Sequence, residues 1–115
     1  MQTYQTRNPL PPLKEEARLK MIEESNCLIM VDFHDQSRLT KPGTQKYWSK
    51  CGQRKFRNMN EAINDFLNAI NYGRWRGKVK KAAIYDTRVD KNHKTAPKIY
   101  QYENGFWTLL QPVTW

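Results

Sequence analysis

Between Asn58 and Tyr72, Met59, Ala62, Ile63, Phe66, Leu67 and Ile70 recur at steps of three and four, which places them on one stripe of a helix. Asn58 followed three residues later by Glu61 supplies a capping-box-like start, and Gly73 stands where a C-terminal glycine is expected. A fainter helical pattern runs from Leu13 to Ser25. There Leu13, Ala17 and Met21 step by four, Leu19 and Ile22 by three, and Glu16 precedes Lys20 in the favourable orientation. Its apolar stripe is narrow, as in a helix lying at the edge of a sheet, and Asn26 can end it in a left-handed conformation. Cys27 to Phe33 (CLIMVDF) is an unbroken apolar run of strand length, expected at the centre of a sheet. From Gln45 the pattern alternates: Tyr47, Ser49 and Cys51 point one way, Lys46, Trp48 and Lys50 the other.

Lys78 to Asp86 and Lys98 to Glu103 read as strands joined by the polar turn DKNHKTAP, and Asn104-Gly105 begins a tight turn into Phe106 to Leu110. Residues 35 to 44, with Pro42-Gly43, form a connection. The order of elements is arm, α, β, β, α, β, β, β. It predicts an α+β two-layer sandwich, with two helices on one face of a mostly antiparallel sheet of four to five strands. Pro9, Pro11 and Pro12 make residues 1–12 an extended N-terminal arm, and residues 13–115 form the single α+β domain.

Charge divides the chain unevenly. Residues 1–35 carry four basic against six acidic side chains, whereas residues 36–115 carry sixteen against five. Two blocks hold the excess. No acid occurs from Gln36 to Asn60, where seven cations accumulate, nor from Phe66 to Tyr85, around Arg74, Arg76, Lys78, Lys80 and Lys81. Such a surface attracts polyanions by steering and counterion release. No run of about eighteen apolar residues and no charged-then-apolar leader is present, so a cytoplasmic protein with no membrane partner is expected. Cys27 and Cys51, with only His34 and His93 beside them, give neither a disulfide framework nor a zinc spacing, and both read as reduced thiols in strands.

Function is expected on the sheet face away from the helices. Lys46 and Lys50 flank Trp48, Arg74 and Arg76 flank Trp75, and Tyr85 and Tyr100 lie on adjacent strands. Cations that neutralise phosphates beside rings that stack on bases are what a single strand requires. The candidate binding residues are therefore Lys46, Trp48, Lys50, Arg54, Lys55, Arg57, Arg74, Trp75, Arg76, Lys78 and Lys80. The Arg-Trp-Arg element just past a helix end reads as surface contact, although Trp48, Tyr85 and Tyr100 could equally be core rings. A hydrolase could be drawn from Asp32, His34 and Asp86, but acids at strand ends are common cap residues and no catalytic motif accompanies them. No catalytic residue, metal or cofactor is assigned, and the chain reads as a non-enzymatic binding protein.

In the second half, FRNMNEAINDFLNAI, then VKKAAIYDTR, then KIYQYENGFW resemble the helix, "IYD" strand and aromatic hairpin of many small orphan proteins encoded by bacteriophages. The similarity spans roughly the last 60 residues. It implies a class of short viral proteins that bind and redirect a host polymerase, nuclease, toxin or defence complex, or sequester its nucleic acid or nucleotide signal, and it implies no functional residue. Three readings follow: a binder of RNA or single-stranded nucleic acid, an inhibitor docking its basic face on an acidic host protein, and a sequestering protein for a small nucleotide. Self-association is left open. RNA or single strands are favoured over duplex because the capped helix exposes Asn60, Asn64, Asp65 and Asn68 rather than Lys or Arg.

Overall fold

The strand order is β2-β1-β3-β4-β5, and every neighbouring pair is antiparallel. In this computed structural model, which describes residues 15–50 and 58–112, the elements are α1 (Glu15–Glu24), β1 (Cys27–Phe33), β2 (Gln45–Trp48), α2 (Met59–Asn71), β3 (Val79–Asp86), β4 (Lys98–Glu103) and β5 (Phe106–Leu109). The α+β arrangement of two helices and a five-stranded antiparallel sheet agrees with the sequence expectation. The arm expected over residues 1–12 and the positions of Cys51, Arg54, Lys55 and Arg57 lie outside the described residues. No described helix is long and apolar enough to cross a membrane.

Pairing across the sheet fixes two faces, because side chains of paired residues share a side. One row runs Tyr47, Ile29, Ile84, Tyr100 and Leu109, and the next Val31, Ala82, Tyr102 and Trp107. α2 covers this side with Met59, Ala62, Ile63, Phe66, Ala69 and Ile70, all buried. The core is thus built from the 3.6-residue stripe of one helix and the two-residue alternation of β1 and β3. Fully burying an aliphatic side chain such as Ile29 or Ile84 is worth about 1.5–3 kcal/mol. Two register shifts break the alternation, at Asp32/Phe33 against β3 and at Ile84/Tyr85 against β4. The first leaves Lys80 and Lys81 both exposed; the second lets Ile99 and Tyr100 both pack against the core.

The helix caps follow from local chemistry. The Asn58 side chain accepts from the Glu61 amide at 2.9 Å, as the capping-box pattern implies. At the other end the amides of Tyr72 and Gly73 both donate to the Asn68 carbonyl, at 2.8 and 2.9 Å. Gly73 is needed there for space rather than for a left-handed backbone: a Cβ would stand 3.0 Å from the Ala69 Cα. The Asn104-Gly105 turn does use positive φ at both residues, 56° and 84°, as a type I′ hairpin demands.

α1 buries none of its own residues. Its end is held through hydroxyls. Ser25 Oγ donates to the Met21 carbonyl and accepts from the Lys50 amide, while Ser49 Oγ accepts from the amides of Asn26 and Cys27. Cys27 is a buried free thiol, and burial pushes its pKa up to about 12.

Candidate functional site

At the edge where β1 ends, β2 begins and α2 turns into β3, a cleft of about 500 Å³ opens. Its walls come from three separate parts of the chain: Phe33, His34, Asp35, Arg38 and Leu39 from β1 and the loop after it, Tyr47 from β2, and Arg74, Trp75, Gly77 and Lys78 from the turn. That turn is tied down by backbone bonds. The Trp75 amide donates to the Ala69 carbonyl at 2.9 Å, the Lys78 amide to the Trp75 carbonyl at 3.0 Å, and the His34 amide to the Lys78 carbonyl at 3.0 Å. Gly77, with φ 74°, supplies the left-handed step between them. The β1–β2 loop is pinned by Gln36, whose side-chain oxygen accepts from the Gly43 amide at 3.1 Å, and by Gln45, which donates to the carbonyls of Lys41 and Gly43.

Trp75 is the centre of the cleft and is a core ring, not the surface contact expected from the Arg-Trp-Arg sequence; only 8% of it is exposed. Its indole meets Tyr47 at 4.8 Å between centroids, Phe33 edge-on at 6.0 Å, and carries the Arg74 guanidinium 4.4 Å from its centroid. An indole after a helix end can be buried because Phe33 and Tyr47, distant in sequence, stand together on the sheet to receive it. Arg74 itself stays exposed. The pair therefore presents to solvent not the ring but the guanidinium that lies over it.

Arg38, Arg74 and Lys78 are exposed cations of this cleft, and no carboxylate forms a salt bridge with them among the described residues. The one acid in the wall, Asp35, is exposed: it accepts from the Ser37 hydroxyl at 2.7 Å and the Ser37 amide at 2.9 Å, and these bonds, with the nearby Arg38 charge, hold its carboxyl below the usual range. Desolvation raises the Tyr47 phenol above its ordinary value, with the nearby Arg74 charge opposing. A negatively charged, flat ligand is matched on both counts: cations for its charge and a guanidinium plane for its ring.

The other predicted residues do not form one interface. The face opposite α2 carries the rows Trp48, Leu28, Tyr85, Lys98 and Asp32, Lys81, Glu103. Trp48 and Tyr85 flank Leu28, which is fully buried, so these rings cover an aliphatic side chain. Lys46 lies on this face opposite Met30, and Lys50 binds Glu24 at 2.6 Å. Asp32, Lys81 and Glu103 alternate in sign along one row, while Lys46 lies near Trp48 and Lys98 sits 5.9 Å over the Tyr85 ring, so this face keeps a few cations beside rings but does not gather the predicted arginines. Tyr100 is on the α2 side, shifted there by the irregularity at Ile84/Tyr85. Of the predicted set the cleft gathers Arg74, Trp75 and Lys78; Arg76 is exposed on the same turn, and Lys80 lies just beyond. Sequence reasoning missed Phe33, Arg38 and Tyr47, and passed over His34 except as part of a hydrolase.

Asp32, His34 and Asp86 are not brought together. Asp32 pairs with Lys81 and accepts from the Thr44 hydroxyl at 2.5 Å, while Asp86 pairs with Cys27 at the far end of β1. Asp86 is engaged by Arg88 through two side-chain bonds of 3.1 and 2.9 Å. No group of three or more potential metal ligands occurs among the described residues. No known protein family matches the chain, and neither a curated protein nor a solved structure is significantly similar to it.

Proposed function

We propose that the protein binds single-stranded nucleic acid, RNA included, through the cleft at the end of the sheet. The observation that carries this is the Arg74 guanidinium stacked at 4.4 Å on a buried Trp75, beside Arg38 and Lys78. A base lies on the outer face of the guanidinium, and Arg38 and Lys78 neutralise the phosphates on either side. Base stacking of this kind contributes roughly 1–3 kcal/mol. Trp75 holds the Arg74 guanidinium over its ring at 4.4 Å before the ligand arrives, which reduces the entropy lost on binding. A duplex is disfavoured. The exposed positions of α2 include Asn60, Asn64, Asn68 and Asn71, and α1 carries Glu15, Glu16, Glu23 and Glu24, so neither helix has a basic face for a groove.

The test is fluorescence anisotropy of a labelled hexauridylate, its thymidylate counterpart and a duplex of equal length at 50 and 200 mM salt. With three to five phosphates contacted, log K against log salt should have a slope of about −2 to −3.5 for the single strands. The combined variant Arg74→Glu/Lys78→Glu should lose at least about thirtyfold. Absence of salt dependence, or equal binding by the double variant, counts against the proposal.

A second reading, docking on a protein, is favoured by one observation. The edge strand β5 exposes Phe106 to 74% and Leu109 to 55%, without a charge in FWTL to discourage another strand from pairing. Pull-down of a stoichiometric protein that survives nuclease treatment and is lost on Phe106→Lys would favour it.

A further inference from the structure

The cleft does not stop at the Trp75 turn. A second compartment of about 460 Å³ adjoins it, and the two share His34 and Gly77 as common walls. Lys80, Tyr102, Asn104 and Gly105 line the second compartment, so it reaches from the start of β3 to the tip of the β4–β5 hairpin. We infer that the two compartments form one trough holding consecutive nucleotides of a single strand, with the linking phosphodiester passing His34 and Gly77. This inference depends on the cleft being a nucleic-acid site, as proposed above.

Each compartment carries its own cation. Lys78 lines the first and Lys80 the second. Lys80 is exposed because the register shift at Asp32/Phe33 inserts an extra residue opposite β1, and the two neighbouring lysines then differ in surroundings. Lys81 stands in register with Asp32 and Glu103 on the face away from α2, where its charge is locally balanced. No salt bridge to Lys80 occurs among the described residues, and it lies in the wall of the trough. A bulge beside a binding site that re-aims one side chain is a recurrent use of that irregularity.

The far wall is pre-formed. The Tyr102 ring is half-buried and braced by Trp107 at 5.1 Å, and Trp107 is in turn held by its indole N–H donating to the Asn71 side chain at 3.2 Å. Asn104, at φ 56°, sits exposed in the tip of a tight turn and lines the compartment. Gly77 leaves the passage unobstructed: nothing lies within 4 Å of where its Cβ would be. The two lysines that meet phosphates thus stand between two places for a base, the Arg74 guanidinium on Trp75 at one end of the trough and Tyr102 with Asn104 at the other. The ligand class is accordingly an oligonucleotide of at least two residues, not a mononucleotide.

The experiment is a length series, uridine 5′-monophosphate and the di- and tri-uridylates, with the thymidine series in parallel, titrated against the whole protein and four variants, of which Arg74→Ala reports on the first cleft. Lys80→Ala removes the second cation. Asn104→Asp keeps a residue that tolerates the left-handed turn and adds a negative charge to the compartment. Lys81→Ala, on the other side of the sheet, is the control. The expected result is a gain of at least tenfold from mono- to trinucleotide, reduced to threefold or less in Lys80→Ala and Asn104→Asp, with mononucleotide affinity unchanged in both and Lys81→Ala like the parent. If the trinucleotide binds no better than the mononucleotide, or if Lys81→Ala weakens it as much as Lys80→Ala, the second compartment is not a subsite, while an Arg74-dependent affinity for the mononucleotide would leave the first cleft standing. If no member of either series binds, cleft and trough fall together.

Discussion

The Arg74 guanidinium carbon lies 4.4 Å from the centroid of the Trp75 ring, so the two neighbours stack across the protein surface, with the indole buried and the cation outside. Trp75 also bridges Phe33 and Tyr47, which makes it the joint between the α2–β3 turn and the sheet. Removing it should open a large cavity. Trp75→Ala is expected to cost about 3–5 kcal/mol of unfolding free energy. For a domain of this size that lowers the melting temperature by more than 10 °C, at roughly 4–8 °C per kcal/mol. Calorimetry or circular dichroism on the one variant checks it; a loss below about 1 kcal/mol would mean the ring is not holding the turn.

Arg74→Ala separates binding from stability. Its side chain is exposed and its contact with the ring is worth about 0.5–1 kcal/mol, so the melting temperature should fall by only a few degrees. Single-strand affinity should fall by about 2 kcal/mol, near thirtyfold, as at an interface hot spot. Arg74→Lys keeps the charge but not the plane, and is expected to recover only part of the loss. Full recovery by lysine would show that charge alone suffices and that no base stacks there.

Much of the fold was legible because it is written in local periodicity. The bounds of β1 and β4 coincide with the apolar run CLIMVDF and with KIYQYE, and the Asn58 cap and the Asn104-Gly105 turn act through residues two or three apart. What was not legible depends on the partners of each element. The shift at Ile84/Tyr85 reverses the two-residue alternation, so Tyr100 joins the α2 side while Lys98, two residues before it, stays with Tyr85 on the other. Trp75 reads as exposed when only its arginine neighbours are considered; its burial is decided by Phe33 and Tyr47, more than twenty residues away in sequence. Arg38 enters the cleft through a loop whose shape is set by Gln36 and Gln45 side chains bonding to backbone, and no periodicity announces such contacts.

Asp86 and Arg88 give a pH signature away from the cleft. Partial burial pushes the Asp86 carboxyl up, but the hydrogen bonds and charge of Arg88 outweigh it, and the net position is below the ordinary value. A carboxyl whose folded value is depressed binds fewer protons than the unfolded chain. Its contribution is therefore present above the unfolded value of about 3.9 and is lost as pH falls through the folded one. Carboxyl-carbon NMR should find Asp86 titrating below that value in the parent. In Arg88→Ala the desolvation remains while the Arg88 side-chain bonds and charge are lost, the Arg88 amide and Lys91 still opposing it, so the same resonance should titrate higher than in the parent. An unmoved resonance would show that burial, not Arg88, governs the group.

At Gly73 the constraint is space. A Cβ would stand 3.0 Å from the Ala69 Cα and 3.3 Å from the Asn68 carbonyl oxygen, both backbone atoms at the end of α2 that cannot swing aside. Gly73→Ala is expected to cost about 1–3 kcal/mol, as for overpacking. Because the turn that follows carries Arg74 and Trp75, single-strand affinity should decline with it. A neutral or stabilising effect in chemical denaturation would indicate that the helix end relaxes freely.

Ser25 is where α1, β1, β2 and the β3–β4 connection meet, and the last prediction concerns it. Its hydroxyl donates to the Met21 carbonyl at 2.8 Å and accepts from the Lys50 amide at 3.0 Å, and its carbonyl accepts from Lys91 Nζ at 2.8 Å and from the Thr87 hydroxyl at 3.4 Å. With 1% of the residue exposed, water cannot replace the hydroxyl. Ser25→Ala deletes both hydroxyl bonds and leaves the Lys50 amide without its acceptor, a cost of about 1–3 kcal/mol. Ser25→Gly removes the same atoms and adds the backbone entropy of glycine, so it should be worse by a further fraction of a kcal/mol. Since the ion pair of Lys50 with Glu24 holds the same junction, α1 should loosen before the sheet does. In hydrogen exchange of Ser25→Ala, amides of α1 should lose protection while those of β1 and β3 keep it; uniform loss across the sheet would instead make the junction part of the global folding unit.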